Sequence, residues 1–196
     1  MIKKIVLSLS FVLLLSSAKA SEYYASLEIG EFNLVPDVTN VSSVLDAKDT
    51  IYILTGGYNL DEQTAIEVFY VDFGEATLSG TSGNRFRIDG VLYEFNQAAT
   101  IKLTADAIGT GLKYDLVKDA RSNAYFKAGL YMWDANYGIS TGTASSSTND
   151  DGTDFYFGLG ASYTFNENAK GTLSYMNFNG DDGDIDGLTF GLEIDF

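Results

Sequence analysis

The sequence contains no cysteine, no histidine and a single proline. Without cysteine, neither a disulfide nor a thiolate metal site can form. Without histidine, the side chain most used as a general base near neutral pH is missing, and with it the usual route to acyl transfer and hydrolysis. No paired carboxylates stand beside a serine at a meaningful spacing, so no catalytic residue is assigned and no enzymatic activity or cofactor is expected. Basic residues are few, 12 Lys and Arg against 27 Asp and Glu, for a formal charge of -15. That balance opposes nucleic acid as a partner. Long apolar runs are also missing beyond the amino terminus, so no membrane helix is predicted there.

What is present begins with Lys3 and Lys4, then an apolar run from Ile5 to Leu15, then Ala18-Lys19-Ala20. This is the pattern of a secretory signal peptide with an A-x-A cleavage site, too short to span a bilayer. Residues 1–20 are read as a cleaved signal and residues 21–196 as one domain beginning near Ser21. Loss of Lys3, Lys4 and Lys19 takes the formal charge from -15 to -18. Twenty glycines with 13 tyrosines and 13 phenylalanines suit a sheet protein whose rings collect at membrane interfaces.

The last ten residues, Gly187 to Phe196, show the organising pattern. Leu188, Phe190, Leu192, Ile194 and Phe196 fall on one side of an extended strand; Gly187, Thr189, Gly191, Glu193 and Asp195 fall on the other. A strand with one continuous apolar face suits a sheet whose outside meets lipid. The same alternation recurs in the strand from Tyr23 to Gly30, where Tyr23, Ala25, Leu27 and Ile29 face lipid. It recurs from about Thr50 to Asn59, with Tyr52, Leu54 and Tyr58 outward, and from Thr64 to Gly74, with Ile66, Val68 and Tyr70 outward. In that third strand Asp72 breaks the pattern, which predicts a place above the headgroups or a bulge. Further strands are predicted within Thr100–Leu116, around Phe126–Trp133, around Tyr156–Tyr163 and over about Lys170–Phe178. The links at Leu60–Gln63, Val117–Ser122 and Asn166–Asn168 are short. Those at 32–49, 75–99, 134–153 and 179–186 are long, and the Ser/Thr tract at 140–148 reads as a mobile low-complexity loop.

Eight strands joined alternately by short turns and long loops predict an eight-stranded antiparallel up-and-down transmembrane β-barrel, with short periplasmic turns and four long extracellular loops. Glu28, Glu67, Lys113, Lys127 and Glu193 all take the inner parity. Buried charges must be paired, so they are predicted to form a lumenal network, with Glu67 and Lys127 as one pair.

The fourth loop holds Asp182-Gly183-Asp184-Ile185-Asp186-Gly187, then five residues, then Glu193, matching the D-x-D-x-D-G-x5-E calcium pattern. A calcium loop needs Glu193 to fold back as a bidentate ligand. Six residues of strand instead carry it on the order of 20 Å away. No metal site is therefore assigned; Asp181, Asp182, Asp184 and Asp186 remain weak candidates for a divalent cation. With Asp150, Asp151 and Asp154 they form acidic loops suited to sharing cations with lipopolysaccharide phosphates.

Gly56-Gly57-Tyr58-Asn59, Ala65-Ile66-Glu67-Val68-Phe69-Tyr70, Lys127-Ala128-Gly129-Leu130-Tyr131-Met132-Trp133-Asp134-Ala135 and the strand ending in Phe196 together resemble the OmpA-like transmembrane domain of the small outer-membrane β-barrel proteins. The resemblance implies that Glu67 and Lys127 are lumenal charges and that Trp133 faces inward. It also implies that Phe190, Leu192, Ile194 and Phe196 form a signal for the outer-membrane assembly machinery. Ser162 and Thr172 stand where a better-known member has a carboxylate and an arginine, so that member's lumenal gate is not implied. The expected role is a structural surface protein, monomeric, in contact with lipid and lipopolysaccharide, whose acidic loops suit adhesion or lipid contact. The alternative is a narrow porin-like channel.

Overall fold

The computed structural model describes residues 22–35, 37–180 and 183–196. The proposed signal peptide lies outside the described residues, as do Asp181 and Asp182. In chain order the strands are β1 (Tyr23–Asn33), β2 (Val38–Asn40), β3 (Val44–Asp46), β4 (Lys48–Asn59), β5 (Thr64–Gly80), β6 (Arg85–Ile88), β7 (Val91–Glu94), β8 (Ala99–Lys118), β9 (Ser122–Thr141), β10 (Ser145–Asn166), β11 (Ala169–Phe178) and β12 (Ile185–Asp195).

Nine of these make one antiparallel sheet, in the order β3-β5-β4-β1-β12-β11-β10-β9-β8, and β5 also pairs with β8. β3 only flanks β5, so the other eight close into a barrel. Closure leaves no open edge within the membrane, where an unpaired backbone group has no water to bond. The final backbone contact is Phe196 N–H donating to the Tyr23 carbonyl at 2.9 Å.

The alternation in the sequence becomes an inside and an outside. Leu130 is 58 % exposed while its neighbour Tyr131 is 4 % exposed; Phe190 is 63 % exposed beside a fully buried Thr189. Tyr52 and Tyr58 point out and Ile51 and Ile53 in, as the tyrosine face of that strand predicts. A row of paired residues runs from Tyr23 through Tyr58, Ile66, Leu112, Ala128, Phe157, Asn177 and Asp186. One residue beyond the Phe32–Gly187 pair, Asp186 meets Asn33, ten residues past the start. A shear of this size in eight strands tilts them by roughly 35–45° and leaves an interior just wide enough for side chains.

Asp72 is exposed, and the register shifts between it and Gly74. Gly74 has φ 76°, a backbone conformation that favours glycine. The bulge resets the faces, so that Ala76 and Leu78 turn inward beyond it.

Three predicted loops are structured. β5 runs on to Gly80 and pairs with β8 as far as Ala99, so the link at 75–99 is mostly strand plus the β6–β7 hairpin. The Ser/Thr tract is the tip of a β-hairpin: Ser145–Thr148 pair with Ser140–Tyr137 across a short turn at 142–144. Within 32–49, β2 pairs with β6 and β3 with β5. In the β10 stretch Ser145–Asp151 both faces are exposed and polar, so no apolar face marks it as a strand, whereas in β5 beyond the bulge the alternation persists with Ala76 and Leu78 turned inward. Leu78, Phe86 and Phe95 form a small second core beneath the β2-β6-β7 sheet.

Candidate functional site

The barrel interior is layered. At mid-height, β1, β5 and β9 bring Glu28, Glu67 and Lys127 together. Lys127 Nζ lies 3.1 Å from Glu67 Oε1 and 3.4 Å from Glu28 Oε1, and all three side chains are buried. Tyr24 OH donates to Glu67 at 2.6 Å, and Thr189 Oγ1 donates to Glu28 at 2.6 Å. One ammonium faces two carboxylates, and the two hydroxyls supply the remaining donors that buried carboxylates require.

Towards the end of the barrel where the two termini meet, Glu193 is held by two lysines, Lys113 at 2.7 Å and Lys170 at 2.8 Å, and Lys170 also reaches Asp195 at 2.9 Å. Lys113 Nζ stands 4.7 Å from the centre of the Tyr24 ring and 4.8 Å from that of Tyr125. Glu28, Glu67, Lys113, Lys127 and Glu193 thus lie in one lumen, divided between two clusters. Lys170, Tyr24, Tyr125 and Thr189 were not singled out as members. Lys170 could have been found, because it shares the inner parity of Thr172, but its place beside a turn disguised it. Ser162 and Thr172 are both buried and face each other across β10 and β11.

Glycines make room for the rings of this layer. A Cβ on Gly57 would lie 2.1 Å from Tyr24 Cζ, and one on Gly160 would lie 2.4 Å from Tyr125 Cζ. A ring on one strand therefore lies flat over a glycine on its neighbour.

Towards the opposite end the lumen is apolar. The Phe178 ring is surrounded by Phe73 at 5.1 Å, Tyr131 at 5.3 Å, Tyr156 at 5.9 Å, Phe69 at 6.1 Å and Phe32 at 6.2 Å between centroids. Ile51, Ile53, Val71 and Met176 fill the space between them. Above this plug, Trp133 Nε1 donates to Asp154 at 2.7 Å. Below the charges, a cavity of about 620 Å³ opens at the end where the termini meet, lined by Asp61, Lys113, Asp115, Asn123, Lys170 and Glu193 among others. In its rim, Asp61 Oδ1 accepts the backbone N–H groups of Gln63 and Thr64, both at 2.8 Å. These bonds hold the Asp61 carboxyl below its ordinary pKa.

The calcium-like pattern is pulled apart by the fold. Glu193 lies on β12 among lumenal lysines. Asp184 accepts from Asn179 Nδ2 at 2.7 Å, and Asp186 accepts from Tyr175 OH at 3.0 Å. Among the described residues no three His, Cys, Asp or Glu side chains are grouped to hold a metal ion. On the terminal strand, Leu188, Phe190 and Leu192 are exposed on the outer surface.

No curated protein matches the chain. Among solved structures, Neisserial surface protein A is similar with a TM-score of 0.58 at 15% identity, over 91% of this chain and 100% of that one. Ail, the attachment invasion locus protein of Yersinia pestis, gives 0.56 at 15% identity over 91% and 100%. OprG from Pseudomonas aeruginosa gives 0.53 at 16% identity over 91% and 97%. At such identity the likeness concerns the fold, and all three are small barrels. The sequence model described as the outer membrane protein beta-barrel domain matches residues 5–196. That match spans nearly the whole chain, the closed eight-stranded barrel agrees with it, and the chain belongs to this family of outer-membrane β-barrel proteins.

Proposed function

We propose that the protein is a non-enzymatic structural and surface component of the outer membrane rather than a pore. The observation that carries this reading is the filled lumen. Solute entering from the periplasm meets the Lys113–Glu193 and Lys127–Glu67 pairs and then the rings packed around Phe178. An eight-stranded barrel has no spare width to bypass them. Its functional surface is then the outside: the apolar belt, which contacts lipid and lipopolysaccharide, and the acidic extracellular strands and loops, which offer contacts to lipid, host or neighbouring protein. In this reading residues 1–20 direct export, the terminal strand ending in Phe196 is recognised by the assembly machinery, and the folded barrel is a monomer.

The channel reading draws on one feature, the 620 Å³ periplasmic cavity that reaches Lys113 and Glu193. It needs the aromatic plug to move as well. Planar-bilayer recording of purified, refolded protein separates the two. A silent bilayer is expected, and discrete conductance steps at physiological salt would overturn the structural reading in favour of the channel.

A further inference from the structure

The barrel wall is taller on one side. β11 stops at Phe178, opposite Tyr156, and β1 stops at Asn33, opposite Lys48, while β5, β8, β9 and β10 continue paired well beyond that level. The outer face of this taller wall can be followed row by row through the registers. Tyr70, Ile108, Met132 and Thr153 make one row, at the top of the apolar belt. Two residues further up, the row is Asp72, Asp106, Asp134 and Asp151, an aspartate on each of four adjacent strands. The next is Glu75, Thr104, Asn136 and Asn149; then Thr77, Lys102, Gly138 and Ser147; then Ser79, Thr100, Ser140 and Ser145. No aliphatic or aromatic side chain occurs in these four upper rows.

The chemistry changes completely in a single step of the pleat, from lipid-facing to carboxylate. Above the carboxylates lies an array made mostly of hydroxyl and amide groups, with Glu75 and Lys102 among them. Its side chains brace one another across the strands: Ser79 Oγ lies 2.9 Å from Thr100 Oγ1, Asn136 bonds Asn149, and Lys102 pairs with Glu75. On the opposite face of β10, Ser146, Thr148 and Asp150 are exposed as well, whereas on β5 and β8 that face is unlike the array. There Ala76 and Leu78 are buried, and Leu78 packs with Phe86, Phe95, Leu45 and Ile101. Water alone does not require so uniform a surface, since scattered apolar side chains are normal on a solvated face.

We propose that this outer face docks the saccharide headgroups of the surrounding outer-leaflet glycolipid. It rests on the reading of lipopolysaccharide contact given above and names the part of the molecule and the side of the barrel concerned. The argument is continuity: the array is the upward extension, on the same strands and the same face, of the lipid-facing belt. The layer directly above acyl chains is the headgroup layer. A surface dense in hydroxyl and amide groups matches polyhydroxylated rings, each of which offers donors and acceptors in turn.

The test uses the full mature chain refolded into three kinds of vesicle: phosphatidylcholine alone, the same lipid with lipid A, and the same lipid with lipopolysaccharide carrying its core oligosaccharide. Amide hydrogen exchange is followed in the segments covering 100–104 and 136–149. Exchange there is expected to slow by about fivefold with the oligosaccharide and to be equal in the other two vesicles. The combined variant Thr104→Ala, Asn136→Ala and Ser147→Ala is expected to lose that difference. Equal exchange in all three vesicles, or protection with lipid A alone, overturns the proposal, as does a variant protected like the parent. Heat-dependent gel migration reports folding separately. A chain that folds in every vesicle yet shows no saccharide-dependent protection therefore sinks this inference and leaves the membrane barrel standing.

Discussion

Lys127 is the residue on which the most electrostatic order depends, since it neutralises Glu67 and Glu28 where neither can reach water. Replacing it with Met keeps the volume and strands two buried carboxylates, an expected loss of about 3–5 kcal/mol. Urea unfolding in detergent micelles measures it, and Glu28→Gln with Glu67→Gln in the same background is expected to recover most of the loss. An unchanged midpoint for Lys127→Met would mean that the contacts do not form in the folded protein. At the rim where the termini meet, Asp61 makes a separate, pH-dependent contribution. Its folded pKa is lowered by the Gln63 and Thr64 N–H groups, so its stabilisation is complete above the ordinary aspartate range. It disappears as pH falls through the lowered value. The stability difference between the parent and Asp61→Ala is expected to be positive at neutral pH and to vanish in acid, which paired unfolding curves at pH 7 and below pH 3 check.

Among the elements, β11 and β12 divide the labour between plug and closure. Phe178, at the end of β11, is touched by rings from β1, β5, β9 and β10, so its truncation to Ala opens a cavity that no single neighbour can fill. A loss of about 3–5 kcal/mol is expected in the same unfolding assay. β12 closes the sheet against β1 through nine paired residues, Tyr24–Asp195 to Phe32–Gly187. If its outer apolar face is also the assembly signal, then Phe196→Ser is expected to lower the amount recovered in the outer-membrane fraction while leaving the refolded protein's unfolding midpoint nearly unchanged. Fractionation combined with unfolding distinguishes a recognition defect from a folding defect. The bulge after Asp72 belongs to this scale too, because it lets one strand serve a lipid-facing belt below and a hydrated wall above with its apolar side chains still turned inward.

For the whole molecule, closure explains why a chain with a formal charge of -15 and average hydropathy can live in a membrane. The lumenal lysines and carboxylates are paired within the barrel. Most remaining acids stand beyond the ends of the apolar belt, so few charges face lipid. The closed sheet is expected to resist detergent, giving faster gel migration unheated than after boiling, alongside recovery in the outer-membrane fraction. A chain that migrates identically in both states would contradict the barrel itself.

The sequence by itself determined which side chains face inward and which face lipid, because that follows from a period of two along each strand and is local. Leu27 with Glu28, Leu130 with Tyr131 and Phe190 with Thr189 were legible in this way, and so was the number of membrane strands. The same parity places Glu193 on a strand facing the lumen, apart from the acidic loop. Only the tertiary structure decided the partners. Lys113 meets Glu193, 80 residues away, and Lys170 joins them, because shear sets which inward residues share a height, and shear is a property of the closed ring. The taller wall was hidden for a different physical reason. Above the membrane both faces of a strand are hydrated or packed on other protein, lipid no longer selects one of them, and a serine-rich strand looks like a loop until its neighbours are in place.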